Sequence, residues 1–274
     1  MRRVRITLGY DGTDFIGSQS QPGQRTVQDE LERLLDRLTE RSGRTAFAGR
    51  TDRGVHAVGQ VASVDLGWRG SDDALRDAIN ALAPVDLVVT SVETVADTFH
   101  ARYDAVEREY RYRVVVDDVP PVLDRRYVWW RRSGLDVERC QDACHRFVGQ
   151  HAFGTFAGNG KSQSLDATRL ERHVTVCEWR ERYGGRHHEL RIVANGFLPQ
   201  MVRNIVGAVV RVGTGAASPE WINELIAAND RRVLGEAAPP QGLALWRVGY
   251  EDDSDARRDA TIAGLLPGEG YGEE

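Results

Sequence analysis

Residues 46–65, AFAGRTDRGVHAVGQVASVD, set the polar turn GRTDRG between two apolar runs. Residues 45–48 and 56–66 read as strands, because small and β-branched side chains dominate them while glycine and aspartate punctuate the gap. Working outward, Thr26 is placed to cap a helix in which Val27, Leu31, Leu34, Leu35 and Leu38 share one face, with Gly43 closing the segment. Residues 3–10 alternate Val4, Ile6 and Leu8 against polar neighbours and stop at Asp11 and Gly12, which predicts a half-buried strand. On the other side a helix from about Asp72 turns Leu75, Ala78, Ile79 and Leu82 inward and is stopped by Pro84, and a strand follows at 87–95. The first part of the chain thus reads strand, helix, strand, strand, helix, strand.

The second part has the same order without visible sequence similarity. A strand is predicted at 109–116, and a helix from Asp136 sets Val137, Cys140, Cys144, Phe147 and Val148 on one face. Strands follow at 170–182 and 187–194, then helices at 201–212 and 220–228, the latter with Ser218 as cap and Pro219 in first position. A strand at 243–250 closes the series. The expectation is an α+β fold of two pseudo-symmetric split βαβ (ferredoxin-like) domains, with antiparallel sheets and helices on one face. The domains are placed at 1–104 and 105–250, followed by an acidic, mobile tail at 251–274.

At 274 residues, with 41% hydrophobic and 28% charged side chains, the chain has the material for one large or two small cores. No apolar run reaches the roughly 18 residues of a membrane span, and the first residues lack a signal-peptide core, so the expected compartment is cytoplasmic. Cys140, Cys144 and Cys177 show no disulfide or zinc spacing and read as buried thiols. The net charge is −5, yet residues 251–274 carry eight acids against two arginines, which leaves 34 basic and 33 acidic side chains in the rest. Arginine supplies 35 of the 36 basic residues, Lys161 being the one lysine. Its planar fork suits phosphates and stacked bases, although a GC-rich genome accounts for most of such a bias.

The glycine-rich segments do not carry phosphate-loop spacing, and neither the seven histidines nor the cysteines form a metal-ligand pattern. No metal and no nucleotide cofactor are expected. The GRTDRG turn remains. By chemistry alone Asp52 reads first as a turn residue capping nearby backbone N–H groups. The alternative is a carboxylate kept ionised by Arg50 and Arg53 for use as a nucleophile or base.

Four blocks resolve the choice by likeness: YDGTDFIGSQSQ with TVQDEL near the start, GRTDRGVHA, FHARYDAVEREYRYRV at 99–114, and ANGFLPQMVRNIVGAVVRVGTG at 194–215. In order and separation they resemble the tRNA pseudouridine synthase A family. The resemblance implies isomerisation of uridine at positions 38–40 of the tRNA anticodon stem-loop by a homodimer that needs no cofactor. It also assigns residues: Asp52 as the catalytic aspartate, Arg50 as the arginine that helps displace the target base, Tyr110 as the ring that stacks on the flipped uracil. Arg203 matches the arginine that pairs with the aspartate, and Leu245 matches an apolar wall of the pocket. Each has a plain counterpart, with Tyr110 and Tyr112 on one exposed strand face, Leu245 in the core and Arg203 on a polar helix face. The chain departs from the family pattern in three places: Ser18 where a tryptophan usually follows the glycine, the LPQ of 198–200 where histidines are common, and Ala244 in place of a tyrosine. The rival readings are a non-catalytic RNA-binding protein of the same fold and a glycoside hydrolase, the latter disfavoured because only Asp52 stands in a distinctive motif.

Overall fold

The computed structural model describes residues 1–132, 134–158, 167–182, 184–251 and 253. Lys161 and all of the acidic tail except Glu251 and Asp253 lie outside the described residues. The elements run β1 (Arg2–Tyr10), α1 (Val27–Leu38), β2 (Arg41–Phe47), β3 (His56–Leu66), α2 (Asp72–Leu82), β4 (Leu87–Thr94), β5 (Ala105–Val116), β6 (Trp129–Arg131), α3 (Val137–His145) and β7 (Gly149–Ala152). They continue with α4 (Ala167–Leu170), β8 (Glu171–Arg182), β9 (His187–Ala194), α5 (Met201–Gly213), α6 (Trp221–Ala228) and β10 (Leu243–Tyr250). The architecture is mixed α+β.

Two compact units divide the chain, residues 1–106 with the stretch from 244 onward, and residues 107–243. In the first, β1 lies antiparallel between β3 and β4, and β2 pairs antiparallel with β3. β10 joins β3 in parallel through Ala244 opposite His56 and Leu245 opposite Ala57. The sequence reading places 243–250 with the C-terminal half, whereas compactness groups the residues from 244 with the first unit. β3 buries every residue from 56 to 64, side chains of both its faces included, so apolar residues do not alternate with exposed polar ones and the polar His56, Gln60 and Ser63 are buried too. Thr26 caps α1 by accepting from the Asp29 N–H, and Val27, Leu31, Leu34 and Leu35 are buried below it.

In the second unit β9 lies antiparallel between β5 and β8, β7 pairs with β8, and β6 runs parallel to β5. The apolar side of α5, including Met201, Ile205, Val206, Val209 and Val212, is buried, as are all three free cysteines.

Several expectations are corrected. Gly43 does not close α1, which ends at Leu38; the glycine sits at φ +72° inside β2, which begins four residues earlier than its apolar signal at Thr45. Ser218 does not provide the N-cap of α6, since that position is Glu220 and no side chain caps it. Tyr110 and Tyr112 do not form an exposed face, being 7% and 0% accessible. Asp253, expected in the mobile tail, is buried: Arg5 Nη1 lies 2.8 Å from its carboxylate, and its other oxygen accepts from the Tyr250 N–H at 3.0 Å. The Arg5 guanidinium in turn lies 4.4 Å from the Tyr250 ring centroid, so aromatic and acid share one cation.

Candidate active site

The segment joining β2 to β3 is short and is tethered through Ala48, Gly49, Thr51, Asp52 and Val55. Ala48 N–H donates to the Val61 carbonyl at 2.8 Å. The Gln60 amide then holds Gly49 from both sides, with Nε2 donating to its carbonyl at 2.9 Å and Oε1 accepting from its N–H at 3.3 Å. Ser18 does the same for Thr51: the Ser18 N–H donates to the Thr51 carbonyl at 3.0 Å, and the Ser18 Oγ accepts from the Thr51 N–H at 2.9 Å. The Thr51 hydroxyl meets the Tyr10 hydroxyl at 2.8 Å, and Gln60 Nε2 donates to the latter at 3.3 Å. Asp52 then starts a four-residue turn that its carbonyl closes by accepting from Val55 N–H at 3.1 Å, with Gly54 at φ +77°.

Two glycines let the 11–18 loop come this close. A Cβ on Gly12 would sit 2.0 Å from the Val55 carbonyl oxygen, and Gly12 N–H donates to His56 Nδ1 at 3.0 Å. Gly17 has φ +79°, and a Cβ there would stand 3.0 Å from the Thr51 carbonyl oxygen. The result is a backbone fixed on both sides of Asp52, whose side chain is half-buried while those of Arg50 and Arg53 are exposed. Because Gln60, Thr51 and Ser18 are buried, each of their hydrogen bonds replaces solvation that burial removed, and deleting one partner costs about 1–3 kcal/mol. Burial also pushes the Tyr10 phenol up to about 12, against the pull of its bonds to Thr51 and Gln60, so it stays a neutral hydroxyl.

Arg50, Asp52 and Leu245 belong to the first unit, Tyr110 and Arg203 to the second. Leu245 is wholly buried on β10, opposite Ala57, the residue that follows His56. Tyr110, on β5, meets Phe197 edge to face with ring centroids 5.1 Å apart. Arg203 lies in the first turn of α5, entered through Gln200 in a left-handed conformation (φ 59°). Its Nε donates to the Ala238 carbonyl at 2.7 Å while its own carbonyl accepts from Ala238 N–H at 3.0 Å. That pair fixes where the guanidinium leaves the helix.

A family model described as tRNA pseudouridine synthase matches residues 7–104 and 143–251. The chain belongs to that family. A relative from Oceanobacillus iheyensis, called tRNA pseudouridine synthase A, is 39% identical over 256 residues, which cover 93% of this chain and 99% of the relative. One of the same description from Geobacillus kaustophilus is 41% identical, covering 92% and 96%, and one from Bacillus subtilis is 38% identical, covering 91% and 100%. The protein is an isomerase that converts uridine in tRNA to pseudouridine. Among the described residues no group of three or more His, Cys, Asp or Glu side chains is arranged to hold a metal ion, and no helix is long and apolar enough to cross a membrane.

The residues that position the turn escaped the sequence reading. Tyr10, Thr51 and Gln60 are unremarkable in a sequence, and Ser18 stands out only as a departure from the family pattern. Their contacts join residues 11 to 50 positions apart, and no periodicity reports that.

Proposed function

We propose that the protein isomerises uridine at positions 38–40 of the tRNA anticodon stem-loop, with Asp52 as the carboxylate that begins the reaction. The observation that carries this reading is the tethering of residues 48–55, which fixes the backbone of one carboxylate between two exposed arginines. Pseudouridine has the same atoms as uridine. The N1–C1′ bond breaks, the base turns, C5 bonds to C1′, and the C5 proton leaves to water or a base while N1 gains one. No redox or energy-carrying group enters that balance. Asp52 either attacks C1′ or removes the C2′ proton to give a glycal.

In either route the target nucleotide leaves the stack, at a cost of a few kcal/mol that stacking on an aromatic ring offsets in part. Tyr110 is the proposed ring, its edge-to-face contact with Phe197 holding it in one orientation. Arg50, exposed beside Asp52, is proposed to occupy the vacated space, Arg203 to pair with the carboxylate, and Leu245 to wall the pocket. A cytoplasmic homodimer and a twofold split βαβ repeat with its internal boundary near residue 105 belong to the same proposal. The strand order β4-β1-β3-β2, antiparallel throughout, supports the repeat in the first half.

The test is release of tritium from uracil C5 in labelled, unmodified tRNA. Asp52→Asn keeps shape and hydrogen-bonding capacity but removes the charge. It is expected to bind tRNA and to lose at least about 10³-fold in rate, about 4 kcal/mol of transition-state stabilisation. A folded, tRNA-binding Asp52→Asn variant within tenfold of the parent rate overturns the assignment and returns Asp52 to a turn role.

A further inference from the structure

Ser18 is 1% accessible, and its N–H and Oγ meet the two backbone groups of one residue, Thr51, the immediate neighbour of Asp52, while its carbonyl accepts from Gln28 N–H. Such a reciprocal pair restrains the peptide planes on both sides of Thr51, and the later of those planes is the one that leads into Asp52. We propose that Ser18 is a positioning residue for the reaction, acting through Thr51 to set where the Asp52 carboxylate stands; this rests on the reading of Asp52 above.

Three features favour positioning over simple packing. The contact is bought at the expense of a constrained approach, because Gly17 adopts φ +79° and leaves only 3.0 Å between a notional Cβ and the Thr51 carbonyl oxygen. The third polar group of Thr51 is also held, its hydroxyl lying 2.8 Å from the Tyr10 hydroxyl, so no part of this residue is left to rotate. The following residues have their own closure through Val55 N–H and the Asp52 carbonyl, and Gly49 is held by Gln60 on the other side. Asp52 therefore inherits its position from a held Thr51 before it and the closure of its own carbonyl on Val55 after it, and the Thr51 hold is the one that a side chain from a different loop supplies. Catalytic rates are sensitive to such placement, since displacements of about 1 Å can cost about 10²-fold. A tryptophan at position 18 has no oxygen to offer the Thr51 N–H, so the side-chain half of this clamp is a property of the serine in this chain.

The test compares Ser18→Ala, Ser18→Cys and Asp52→Asn with the parent in single-turnover tritium release at saturating tRNA, alongside tRNA dissociation constants and thermal midpoints. Ser18→Ala deletes the acceptor. Ser18→Cys fills the space with sulfur, a poor acceptor, and covers the case in which the alanine variant does not fold. Both are expected to lose about tenfold in single-turnover rate while the dissociation constant stays within twofold, a split that a merely structural role does not produce. Either folded variant turning over within twofold of the parent, with any change confined to the thermal midpoint, overturns the positioning role. The outcomes separate the two readings: an inactive Asp52→Asn beside fully active Ser18 variants removes only the clamp, whereas an active Asp52→Asn removes the catalytic assignment itself.

Discussion

The turn that carries Asp52 and the charged face of the second unit's sheet are both polar and both anchored on buried groups, Ser18, Thr51 and Gln60 in the one and Glu109 and Glu189 in the other, yet different forces hold them. In the turn every tether described is neutral: hydroxyls of Ser18, Thr51 and Tyr10, the Gln60 amide and backbone groups. On the sheet the partners are ions. Glu109 of β5 accepts from Arg111 at 2.8 Å and from Arg191 of β9 at 3.0 Å, and Arg191 reaches on to Glu178 of β8 at 3.2 Å. Glu189 lies 3.3 Å from Arg182 and 3.6 Å from Arg113. Register explains the lattice, since Arg111, Arg191 and Glu178 stand side by side across three strands, as do Arg113, Glu189 and Arg180. Neutral bonds fix geometry with little response to salt or to pH near neutrality. A lattice of ions responds to both, and beside the carboxylate proposed to begin the reaction it would compete for that charge. The difference teaches where each device is usable.

The largest stability effect is expected on the neutral side. Gly12→Ala would bring a methyl group within 2.0 Å of the Val55 carbonyl oxygen, where backbone must move, so denaturant unfolding should show a loss of about 3 kcal/mol. High salt should leave that loss unchanged.

A smaller effect is expected from Glu109→Gln, about 2 kcal/mol at neutral pH and low salt, because Arg111 and Arg191 lose their shared counter-charge. Burial pushes the Glu109 carboxyl up, but hydrogen bonds from Arg191 and Arg111 outweigh it and hold the pKa below the ordinary 4.5. With the folded value depressed, the contribution is complete above the unfolded pKa and is lost as pH falls through the folded one. Parent and variant stabilities should therefore converge below about pH 4.5, and chemical denaturation across pH 3–7 checks it. If 1 M salt leaves the Glu109→Gln penalty intact, the contrast drawn between the two regions fails.

Tyr10→Phe should be mildest, about 1 kcal/mol at pH 7, through the Thr51 and Gln60 bonds. Its pH dependence has the opposite sense. The folded pKa of about 12 lies above the ordinary 10.0, so the neutral phenol's contribution is complete below pH 10 and fades as pH rises toward 12. The parent should lose stability over that alkaline range and the phenylalanine variant should lose less, as an alkaline unfolding series would show.

Local signals carried much of the fold into the sequence. β3, β9 and β10 were legible to the residue, because an unbroken or alternating apolar run bounded by turn residues needs nothing beyond its neighbours to declare itself. α1 was legible for the same reason, with its Thr26 cap and leucine stripe lying within thirteen residues. β6 and β7, three and four residues long, carry too few side chains for any period to emerge, and they form because a long strand stands beside them. The start of β2 was hidden because ERSGRTAF has no alternation before Thr45 and a left-handed glycine inside it.

What the sequence by itself determined is therefore the set of long elements, their order and, through four motif blocks, the family, with Asp52 as the aspartate those blocks nominate. What only the tertiary structure decided is the company that aspartate keeps: that Ser18 meets Thr51 across 33 positions, that Gln60 straps Gly49, and that β10 comes to lie against the first residues of β3. Periodicity and capping act between residues a few positions apart, so they are written along the chain. A hydrogen bond needs donor and acceptor within about 3.2 Å and well aligned, and which distant groups meet that requirement is fixed only when the packed strands and two close-approach glycines have brought the loops together.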